Sequence, residues 1–66
     1  MSKLPQAIVD NLVRLDIYLD FGMDDAAASL ISELDYISDE TLSMCVDAII
    51  IKYGRRRDEF IRKPQH

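Results

Sequence analysis

The chain has 66 residues, 48% of them hydrophobic and 30% charged, with a formal net charge of −4. That is room for one small domain, residues 1–66, of a size that buries only roughly 60% of its unfolded surface. One Cys excludes an internal disulfide, one Cys with one His excludes a His/Cys zinc site within the chain, and two Gly with two Pro are too few for a turn-rich sandwich or barrel.

The first predicted element is a helix from about Pro5 to Phe21. Pro5 suits a first helical turn, Leu4, Ile8, Leu12, Leu15 and Leu19 recur on one face, and Gly22 ends the segment. A second helix runs from about Asp24 or Asp25 to Tyr36, with Asp24 as its N-cap and a stripe of Met23, Ala27, Leu30, Ile31, Leu34 and Ile37. Ser38 is the expected N-cap of the third helix, and Asp39 and Glu40 stand in its first turn. Its stripe is Leu42, Cys45, Val46, Ile49 and Tyr53. The same phase reaches Phe60, which predicts one long helix to about Lys63, closed by Pro64, despite Gly54; the rival reading breaks the helix at Gly54 and leaves a loose basic tail. The fold class expected is all-α: a helical hairpin plus a longer third helix, paired as a homodimer.

The turn between the first two helices resembles that of a tetratricopeptide repeat, over roughly residues 11–37. An aromatic stands four residues before a Gly, a small Ala five after it, and a large apolar residue four further on: Tyr18, Gly22, Ala27 and Ile31. The likeness departs at Asn11 and Arg14, where the family is usually apolar, and at Asp39, where it often has Pro. What the resemblance implies is antiparallel packing of the first two helices and a protein-binding role.

Two helices carry more apolar surface than one core face needs. Val9, Val13, Ile17 and Phe21 form a second line on the first helix, and Met44, Ala48 and Ile51 a second line on the third. These seven residues are the expected dimer interface.

Charge is split along the chain. Residues 1–51 hold two basic side chains against ten acidic ones, a balance of −8; residues 52–66 hold six against two, a balance of +4. Two surfaces therefore compete as the site of a protein partner. One is an acidic face of Asp16, Asp20, Asp24 and Asp25. The other is a basic end in which Arg55, Arg56 and Arg57 surround the aromatic anchor Phe60. Nucleic acid is the alternative partner for the basic end, opposed by the acidic body.

Little here points to catalysis. His66 is a terminal residue, Cys45 lies on a core stripe with no base placed beside it, and the paired carboxylates read as a solvated face, so neither cofactor nor metal is expected. The stretch Ile31-Ser32-Glu33-Leu34-Asp35 resembles the Ser-x-x-Leu-Asp pattern of small helical-hairpin aspartyl-phosphate phosphatases, but Ile31 stands where that Ser belongs. The start, Met1-Ser2-Lys3-Leu4-Pro5, has no leader-like apolar run, and the apolar stretch Val46 to Ile51 is short and broken by Asp47. The sequence thus reads as a cytoplasmic, non-enzymatic adaptor, inhibitor or anti-activator that binds a larger protein, with no membrane partner.

Overall fold

A computed structural model describes residues 4–61. Three helices, α1 (Gln6–Asp20), α2 (Asp24–Tyr36) and α3 (Glu40–Lys52), are followed by a 3-10 turn at Arg57–Phe60, with no strand among the described residues. Pro5 stands just before α1, and its carbonyl accepts from the Ile8 and Val9 amides at 3.0 and 3.1 Å.

The end of α1 is set by Gly22. The Met23 amide reaches the Tyr18 carbonyl at 2.8 Å and the Gly22 amide reaches Leu19 at 3.2 Å, a pairing that closes a helix when the residue between is left-handed. Gly22 supplies that conformation, with φ +70°. The chain reverses within a few residues, so α2 returns along α1, and Ala27 and Ala28 are buried where small side chains allow close approach. The hairpin that the Tyr18, Gly22, Ala27 and Ile31 spacing implies is thus present.

α2 is the hub: it packs against α1, α3 and the 3-10 turn. Its N-terminus differs from expectation, since Asp24 is the first helical residue rather than the cap. At its far end Ser38, at φ +59°, terminates the turn. A residue in that conformation cannot cap the next helix, which requires extended backbone. The cap of α3 is Asp39 instead, extended at φ −103° and ψ 125°, whose carboxylate accepts from the Leu42 amide at 2.8 Å.

The long third helix is not formed. α3 stops at Lys52, and Gly54 repeats the device of Gly22: φ +68°, with the Arg55 amide on the Ile50 carbonyl at 3.1 Å and the Gly54 amide on Ile51 at 2.8 Å. The spacing from Tyr53 to Phe60 suits a helical face, but a glycine free to turn left-handed outweighs that phase, and the chain doubles back. Phe60 still reaches the core, through the 3-10 turn, and is 2% exposed. The expectations placed on Met1 to Lys3, Arg62, Lys63, Pro64 and His66 lie outside the described residues.

The core is Leu15 and Leu19 of α1, Ala27, Ala28, Leu30, Ile31 and Leu34 of α2, Leu42, Val46 and Ile50 of α3, and Phe60. Ile50 belongs to it although it stands outside the expected α3 stripe, whereas Met23 and Ile37, at the two ends of the α2 stripe, are exposed.

Candidate interaction surface

The acidic body and the basic end meet each other inside the chain. Arg55 donates to both carboxylate oxygens of Asp24, at 2.8 and 3.2 Å, and its Nε to Glu59 at 2.8 Å. Its guanidinium also lies over the Phe60 ring, 4.9 Å from the centroid. Arg57 bridges Asp35 of α2 and Asp47 of α3. Lys52 reaches Asp16 of α1 at 2.9 Å, and the Tyr53 hydroxyl donates to the same carboxylate. Glu59 additionally accepts from the Arg56 amide at 3.0 Å, which holds the 3-10 turn shut.

These bonds perturb the groups that make them. The Tyr53 hydroxyl, and then Lys52, hold Asp16 below the ordinary carboxylate value, while Arg55 does the same to Asp24 and Glu59. Tyr53 and Lys52 are both pushed up, chiefly by their bonds to Asp16.

The expected partner surfaces change accordingly. Of the acidic face, Asp16 and Asp24 hold Lys52 and Arg55 within the chain, and Asp20, Asp24 and Asp25 are all exposed. Of the basic end, Arg55 and Arg57 are half-buried in ion pairs, and only Arg56 extends into solvent, with Asp58 at 3.4 Å. Phe60 is a core residue and not a displayed anchor, because the break at Gly54 turns it inward. All three neighbouring arginines have a carboxylate partner, Arg55 and Arg57 half-buried and Arg56 exposed.

What remains uncovered is aliphatic. On α1 and its C-cap, Val9, Val13, Ile17 and Phe21 are 36, 55, 47 and 73% exposed. On α3, Met44 and Ile51 are 66 and 69% exposed, with Ala48 exposed between them. Each line lies outside the shared core.

Among the described residues no group of three or more His, Cys, Asp or Glu side chains could hold a metal ion. Cys45 is a half-buried free thiol. Asp35 is held by Arg57, and Ile31, four residues before it, is 2% exposed, so the phosphatase-like stretch presents no hydroxyl at that position. No helix of the described residues is long and apolar enough to cross a membrane. Comparison with protein-family models, curated proteins and solved structures gives no match for this chain.

Proposed function

We propose that the chain is a small non-enzymatic interaction protein that occupies a surface of a larger protein, as an adaptor, inhibitor or anti-activator. The observation that carries this reading is the uncovered line of Met44, Ala48 and Ile51 on α3. Large apolar side chains left two-thirds exposed in a row favour a partner surface, since scattered exposed aliphatics are ordinary but a contiguous line is not. The internal pairing of Lys52, Arg55 and Arg57 supports it from the other side: the basic charge of that end is largely taken up within the chain, so contact there falls to apolar surface.

The test is affinity capture from source cells, with mass spectrometry, using the wild type and a Met44→Glu/Ile51→Glu double variant whose helicity is checked by circular dichroism. A protein retained by the wild type and lost by the folded variant is the expected result. The same proteins retained by both would contradict the assignment to α3.

A further inference from the structure

We infer that the outer face of α1 pairs with the same face of a second copy of this chain, antiparallel, across a twofold axis at Val13. The argument rests on which groups on that face lack a partner. Among the described residues Arg14 is the one Lys or Arg without an ion pair; Lys52, Arg55, Arg56 and Arg57 each have at least one. It stands beside the exposed line of Val9, Val13 and Ile17, and four residues after Asp10, whose carboxylate accepts only from the Gln6 amide group, at 2.9 Å.

Antiparallel pairing about Val13 makes this face complementary to itself. Val9 falls opposite Ile17 of the second copy and the reverse, so the line closes on its own image. In an antiparallel helix pair each flank faces its own counterpart. Asp10 and Arg14 share a flank, and Arg14 then lies about 3 Å along the axis from Asp10 of the second copy, at a rise of about 1.5 Å per residue. Two reciprocal ion pairs result. Gln6 falls opposite Asp20 of the second copy, a hydrogen-bonding match at each end of the seam. Phe21 falls opposite Pro5. A patch this small lies at the exchanging end of interface sizes, so the dimer is concentration-dependent.

The inference rests on the interaction reading only in using uncovered aliphatic surface, and its test is independent of the α3 line. Sedimentation equilibrium is run on the wild type, Val13→Glu, Asp10→Arg, Arg14→Asp and a one-to-one mixture of the last two. The wild type moves toward twice the monomer mass with rising concentration, and Val13→Glu stays monomeric with unchanged helicity. Asp10→Arg and Arg14→Asp each dimerise less than the wild type, since each sets like charges against one another across the seam. Their mixture recovers the dimer, because each chain then supplies the charge the other lacks, which no contact within one chain can reproduce. A wild type monomeric up to millimolar concentration, a dimer that survives Val13→Glu, or a mixture no more dimeric than its two components overturns the inference.

Discussion

Arg55 reaches back across 31 residues to hold both carboxylate oxygens of Asp24, in the first turn of α2 just past Gly22. The two glycine-closed helix ends are thereby fastened to each other: Gly22 delivers Asp24, and Gly54 delivers Arg55. The side chains at the joint are partly solvated, so the pair itself contributes little; its geometry fixes where the last segment lies, and Phe60 supplies the apolar burial.

Phe60→Ala removes a 2% exposed ring from the core and is expected to cost about 3 kcal/mol or more, as truncations of buried Phe do. Thermal unfolding by circular dichroism reads it. A displayed anchor would melt unchanged on truncation.

Gly54→Ala separates the two courses of the chain by sign. In an unbroken helix, Ala would stabilise by about 1 kcal/mol. At φ +68°, with nothing within 4 Å of the added Cβ, it costs about 1–2 kcal/mol through backbone strain alone. A lowered melting temperature is expected.

Ser38→Gly works in the opposite direction. Ser38 pays the left-handed strain that Gly does not, while Gly loses more unfolded-state entropy, for a net gain of about 0.5 kcal/mol. That corresponds to a rise of roughly 2–4 °C in a domain of this size.

Stability should fall at both ends of the pH scale. Asp16, Asp24 and Glu59 have lowered values, so their contribution is present above the ordinary 3.8 to 4.5 and is lost as pH falls through the lowered ones. Tyr53 and Lys52 have raised values, so theirs is present below the ordinary 10.0 and 10.5 and is lost as pH rises through the raised ones. Asp16→Asn is expected to flatten both limbs in a series of melts, since one carboxylate serves both partners.

The helices were legible because their stripes are periodic and because Gly22 follows its helix where a turn is needed. Gly54 carries the same chemistry, yet Tyr53 and Phe60 keep the phase of α3, and local spacing alone does not reveal that the chain leaves the helix between them. The contrast of sign along the chain was legible too. Which acid meets which base was not, because Asp24 with Arg55 and Asp16 with Lys52 are separated by 31 and 36 residues and meet only once both turns are made. The outer lines were readable as excess apolar surface, and the structure leaves them exposed.

The basic side chains from Lys52 to Arg57 close on acids inside the chain, and aliphatic helix faces are left for contact. Two-dimensional amide NMR across a dilution series addresses it most directly. Signals of Val9, Val13 and Ile17 should shift with concentration, while those of Asp24 and of Arg55 to Phe60 stay fixed. Shifts concentrated at Arg55 to Phe60, with the α1 signals unmoved, would contradict it.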